Sequence, residues 1–211
     1  PVGCAGMPNT PTASVTPSVG CANSSISLSA SGASAGLGIS YQWQSSTNGG
    51  ASWNDIVGAT SSSYTLAAGV SQNALFQLVT TCSNSGLTST SNSTSYTVNT
   101  CAATLVMTDS YGDGWNGNTV TLNVNGTPFG TYTLATGLTQ TLNLCLPSNS
   151  TYSLVFNAGG SFLSEIGYSW TINGFVAASA TAGGLSTTPA GTVLNAGQAC
   201  PPPCVGTPTP G

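Results

Sequence analysis

The feature that most constrains this chain is the spacing of its apolar residues. From Cys21 onward they fall in short runs with every second position apolar, and the runs are separated by Gly, Asn and Ser. In "TVTLNVNG", Val120, Leu122 and Val124 alternate with Thr121, Asn123 and Asn125, the half-buried pattern of an antiparallel strand with one wet face. In "ISYQWQ", Ile39, Tyr41 and Trp43 share one face while Gln42 and Gln44 take the other, and "TNGG" at 47–50 supplies the residues of a hairpin turn. No stretch carries a helical period filled with helix formers. The expectation is an all-β chain.

The runs group into two sets, which predicts two tandem antiparallel β-sandwiches, the first immunoglobulin-like and the second jelly-roll-like. Residues 1–20, rich in Pro and Thr, read as an extended segment. The first sandwich is expected over 21–99 and the second over 100–199, followed by a Pro-rich rigid tail over 200–211 in which "CPPPC" favours polyproline II. The order Cys21, Trp43, Cys82 fits a Trp packed on an inter-sheet disulfide. Against it, "SGASAGLG" lengthens the gap between Cys21 and Trp43, and Thr80 stands where a tyrosine corner would place Tyr. The alternative is that these cysteines pair elsewhere in another kind of sandwich.

Charge narrows the function. The 211 residues include no Lys, Arg or His, and the acidic side chains are Asp55, Asp109, Asp113 and Glu165 alone. Without cations the chain has nothing to neutralise nucleic-acid phosphates. Without His or Lys there is no base to activate a Ser, Thr or Cys nucleophile, so an enzyme is not expected. No apolar run reaches the length of a membrane span, so membrane insertion is not expected either.

Seven cysteines with no His and no CxxC spacing suit disulfides better than metal ligation, and they point to an oxidising, extracellular setting. The expected pairs are Cys21 with Cys82 and Cys101 with Cys145. Cys4, Cys200 and Cys204 then remain for joints between repeats or subunits. Sequons at Asn23, Asn92, Asn125 and Asn149 are candidate glycosylation sites. The two ends, "CAGMPNTPTA" from Cys4 and "CVGTPTPG" from Cys204, share a Cys-x-Gly-x-Pro start. This likeness suggests the beginning of a next copy; Pro- and Thr-rich composition alone would also produce it.

"ISYQWQSSTNGGASWNDIVGATSSSYTLA" with "TTCSNSGLTSTSN" resembles the immunoglobulin-like repeats of very large secreted cell-surface proteins of Bacteroidetes, many exported by the type IX system and some acting as gliding or adhesion filaments. "TDSYGDGWNG" with "GGSFLSEIGYSWTI" resembles a β-sandwich module of the same secreted proteins. The resemblance implies a bacterial cell-surface location and a structural role. The chain is then one period or subunit of an extracellular filament or adhesin whose partner is itself, as a homopolymer or as tandem repeats. The alternative is a carbohydrate-binding module that takes surface glycans.

Three of the four acidic residues fall in the two halves of the second motif. Calcium takes six to eight oxygens from carboxylates, carbonyls and Asn side chains in a flexible loop. Asp109, Asp113, Asn116 and Glu165 are therefore candidate ligands of a structural Ca²⁺ ion. Asp109 and Asp113 would equally serve as turn caps in a Gly-rich loop. Tyr111, Trp115 and Tyr168 are candidate stacking platforms for sugars, and aromatic core residues otherwise. A glycosidase pair of Asp109 and Glu165 is disfavoured, because so few polar groups surround it. A Thr-rich ice-binding face is disfavoured by the irregular Thr spacing.

Overall fold

The computed structural model describes residues 3–200. The chain divides into two compact units between Asn99 and Thr100, and among the described residues the only regular elements are strands. In the first unit these are β1 (Thr12–Thr16), β2 (Val19–Cys21), β3 (Ile26–Ser31), β4 (Ile39–Ser46), β5 (Asn54–Asp55), β6 (Ser63–Leu66), β7 (Ala74–Cys82), β8 (Thr88–Thr90) and β9 (Thr94–Asn99). One sheet has the order β1-β3-β6 and the other β2-β9-β7-β4-β5, with β8 alongside β7. Placing β3 and β6 in one sheet and β4, β7 and β9 in the other is the division of an immunoglobulin-like sandwich.

The alternation seen in the sequence becomes the core directly. Along β7, Ala74, Phe76 and Leu78 point inward, and Trp43 lies opposite Leu78 on β4, fully buried. Burial of each large apolar side chain contributes about 1.5–3 kcal/mol. The indole Nε1 of Trp43 donates to the Ser61 carbonyl at 3.0 Å, so the ring is buried without stranding its polar atom.

Two expectations for this unit are corrected. Residues 12–16 and 19–21 are strands of the sandwich, not part of an extended segment preceding it. Ala13 and Val15 alternate into the core within the Pro/Thr-rich stretch, and the Asn92 side chain accepts from Ala13 N–H while donating to its carbonyl. Cys82 pairs with Cys4, with 5.7 Å between Cα atoms, and not with Cys21. The register explains why. Cys21 lies beside Asn99 on β9, and β9 pairs antiparallel with β7 through Ala74↔Tyr96, which puts Cys21 near the start of β7. Cys82 ends that nine-residue strand, roughly 26 Å away at about 3.3 Å per residue, far beyond disulfide reach. The Cys4 segment is instead held near Cys82 by Cys4 N–H donating to the Leu37 carbonyl and Ser85 Oγ donating to the Gly6 carbonyl.

The second unit contains β10 (Cys101–Asp109), β11 (Thr119–Val124), β12 (Thr127–Tyr132), β13 (Thr139–Leu146), β14 (Thr151–Asn157), β15 (Ile166–Ile172), β16 (Phe175–Ala180) and β17 (Thr192–Ala199). They form two four-stranded antiparallel sheets, β13-β10-β15-β16 and β12-β11-β14-β17. Eight strands in two sheets is also the strand count of a jelly roll. One core fills the space between them, with Leu105, Met107 and Trp170 from the first sheet and Val120, Leu122, Leu154 and Phe156 from the second.

The expected Cys101–Cys145 bridge does not form, and strand parity forbids it. Cys101 pairs in register with Leu146, and both side chains point into the core. Cys145 pairs with Ala102 on the opposite face of the same sheet. Cys101 instead reaches the other sheet, where it bonds Cys200 just after β17. Cys4 and Cys200 are thus used inside the described chain and are not available for joints between copies. Cys21 and Cys145 are disulfide-bonded as well. Six bonded cysteines fit an oxidising compartment outside the cytoplasm. Cys204 and the tail over 201–211 lie outside the described residues.

Candidate metal centre

β10 ends at Asp109, and β15 pairs with it antiparallel so that Asp109 faces Ile166. That register fixes where Glu165 stands: its carbonyl accepts the Ser110 N–H at 3.0 Å. The two halves of the motif, about fifty residues apart in sequence, therefore meet at one end of this sheet.

The loop from Ser110 to Asn118 folds back over that end. Trp115 anchors it, fully buried, with its N–H donating to the Leu134 carbonyl and its Nε1 to the Thr108 carbonyl. Gly114 has φ of +96°, and a Cβ there would lie 2.6 Å from the Leu134 oxygen, so only glycine fits. Asn118 ties this loop to the one after β14. Its Nδ2 donates to the carbonyls of Trp115 and Ser161, and its Oδ1 accepts from Gly160 N–H. Asn118 was not among the candidates read from sequence. Its signal is faint, one Asn among many, and only burial distinguishes it.

The three carboxylates converge. Asp109, Asp113 and Glu165 each present an oxygen, and these oxygens lie within 4.8 Å of one another. Calcium–oxygen distances of about 2.3–2.6 Å allow oxygens on opposite sides of one ion to stand about 5 Å apart, so a single Ca²⁺ fits among them. Asp109 is 2 % exposed and is the floor of the cluster, whereas Asp113 is exposed and Glu165 half-buried.

Asp109 is also a turn cap. Its Oδ1 accepts from Tyr111 N–H at 3.0 Å and its Oδ2 from Gly114 N–H at 2.6 Å. Burial pushes its carboxyl upward, but the N–H groups of Tyr111 and Gly114, the Asp113 side chain and the Gly112 N–H outweigh that and hold it below the usual carboxylate range. Desolvation, then the negative charges of Asp113 and Asp109, hold Glu165 above its ordinary value. The cluster thus carries unrelieved like-charge repulsion, which a divalent cation would remove. Asn116 turns its amide nitrogen to Asp113 Oδ2 at 3.0 Å, while its Oδ1 is buried with no protein partner. In this arrangement its amide nitrogen donates to a carboxylate of the cluster.

Residues 9–100 match the model of a domain of unknown function, DUF8696, a span that runs from just before β1 to the division between the units. No curated protein matches the chain.

The proposed sugar platforms separate sharply. Tyr111 is 76 % exposed, but Trp115 is fully buried and Tyr168 only 6 % exposed, so neither of the last two presents a face to solvent. Both are core residues because their strand and loop positions point between the sheets. Phe162, missed in the sequence, is 59 % exposed on the neighbouring loop at φ of +58°, and its carbonyl accepts Glu165 N–H in a tight turn. The signal available was an aromatic residue in a Gly/Ser-rich stretch outside any alternating run. All four sequon asparagines are exposed. The amides of Asn92 and Asn125 are engaged with Ala13 and with Ser150 and Thr151, respectively.

Proposed function

We propose that this chain is a structural unit of an extracellular filament or cell-surface adhesin, assembling with copies of itself as subunits or tandem repeats, with a structural Ca²⁺ ion held by Asp109, Asp113 and Glu165. The observation that carries the metal part is the convergence of three carboxylates in a protein with no basic side chain to balance them. The structural part is supported by two sandwiches, each closed by a disulfide between residues far apart in sequence. The resemblance to secreted bacterial surface repeats points the same way. No catalytic step belongs to this reading.

Calcium binding is tested by melting the full chain in chelator and in 10 mM Ca²⁺. Extracellular modules bind with Kd of about 10⁻⁴–10⁻³ M, so the ion should add about 1.4–2.7 kcal/mol to the second unit. An unchanged melting temperature sinks the metal site. The filament reading is tested by electron microscopy of native material with mass per unit length. A monodisperse globular particle would overturn it.

A further inference from the structure

Beside the carboxylate cluster is an open cleft of about 350 Å³ lined by Tyr111, Asp113, Phe162 and Glu165. Its composition is narrow: two aromatic rings and two carboxylates, with the phenol of Tyr111 the only side-chain donor. The two loops that supply it are fixed relative to each other. Ser161 N–H donates to the Asn116 carbonyl, Asn118 bridges both, and the Phe162–Glu165 turn is closed by its own backbone hydrogen bond. Tyr111 and Phe162 are therefore held apart at set positions. Both rings are exposed, Tyr111 at 76 % and Phe162 at 59 %, and they line the same cleft as the two carboxylates.

The chemistry of the walls selects the occupant. A neutral ligand here must bring its own donors, because the cleft offers almost nothing but acceptors. It must also bring an apolar face for the rings. A saccharide has both: hydroxyl groups along its edge and a C–H face on the ring. An organic cation would also suit bare carboxylates and aromatic rings. With Ca²⁺ among the carboxylates, however, their charge would be largely neutralised, and a cation that takes six to eight oxygens would accept neutral oxygen ligands beside Asp109, Asp113 and Glu165.

We infer that the Tyr111–Phe162 cleft binds a saccharide in a calcium-dependent manner, with a sugar ring against the two aromatic side chains and its hydroxyl oxygens on the metal and carboxylates. This inference rests on the calcium reading above. In the assembled protein it gives the second unit a glycan-adhesive role in addition to a structural one.

The test is a glycan array probed with the full chain in 2 mM Ca²⁺ and again in EDTA, alongside Tyr111→Ala, Phe162→Ala and Glu165→Gln. The expected result is binding to a defined set of glycans that is lost in EDTA and in Glu165→Gln. Tyr111→Ala and Phe162→Ala should weaken it at least tenfold, while both keep the calcium-induced rise in melting temperature. A calcium-induced rise with a featureless array overturns the saccharide site but leaves the metal site standing. No calcium-induced rise removes the metal site and this inference together. Glycan binding unaffected by EDTA overturns the calcium-dependent mode. Binding of N-acetyl-lysine methylamide that calcium suppresses would identify the cleft as a cation site and also overturn the inference.

Discussion

Replacing Asp109 by Asn changes one oxygen for one amide group and isolates what the buried carboxylate does. In the native loop it accepts from two N–H groups, at 3.0 Å from Tyr111 and 2.6 Å from Gly114. Hydrogen bonds to a charged acceptor contribute about 1.5–3 kcal/mol each. Asn retains one acceptor oxygen, so one bond survives in weaker neutral form, and the amide NH₂ is set against the other N–H. At 2 % exposure, water has no access to replace the lost partner. The expected loss is about 2–4 kcal/mol from the second unit, or about 8–16 °C of its melting transition for a sandwich of this size. Chemical denaturation in EDTA, followed by tryptophan fluorescence, measures it without interference from metal. A loss below about 0.5 kcal/mol would refute the view that Asp109 organises the loop by accepting these bonds. The pH profile supplies a second check. Because the Asp109 pKa is depressed, its contribution is fully present above the ordinary value of 3.8 and disappears as pH falls through the lower folded value. Asp109→Asn should flatten that acid limb. Glu165 acts in the opposite sense: its raised pKa means that stability falls as pH rises from 4.5 through its folded value, and calcium should reverse that fall.

Two further outcomes follow from the geometry. Converting both Cys101 and Cys200 to Ser opens a link across 99 residues, which should lower the stability of the second unit by about 4–5 kcal/mol in a denaturation curve. Gly160→Ala places a Cβ 2.0 Å from the Asn116 oxygen and 2.7 Å from the Asn118 nitrogen, both of them backbone atoms. It should cost about 2–3 kcal/mol and weaken calcium binding, measured by titration calorimetry, because the two loops of the cluster are forced apart.

The strands were legible because a period of two is a local property: Val120, Leu122 and Val124 need only their own chain to declare a face. The strand at Thr12–Thr16 was hidden by the prolines and threonines around it, although Ala13 and Val15 do alternate there. Cysteine pairing was not legible, because it depends on register. Nothing in "NLCL" tells that Cys145 points away from Cys101, and one residue of slip would reverse it. The carboxylate cluster was half legible. Its members stood out in a nearly uncharged chain, but that Asp109 is buried while Asp113 and Glu165 face a cleft depends on Trp115 folding inward. A loop tryptophan reads equally well as a platform or as an anchor. Here its indole N–H finds the Thr108 carbonyl and the ring is covered.

The two mapped disulfides also set how this chain answers a pull. A force applied at the two ends runs along covalent bonds, and at each disulfide it takes the short path from sulfur to sulfur. The segments between Cys4 and Cys82 and between Cys101 and Cys200 are bypassed, so even complete loss of their tertiary structure adds almost no length. Only the stretch from Cys82 to Cys101 is left to pay out between these bridges, at most on the order of 65 Å, against roughly 700 Å for an uncrosslinked chain of 211 residues. In a force–extension measurement such a molecule would behave as a short tether, one that breaks or detaches before it lengthens.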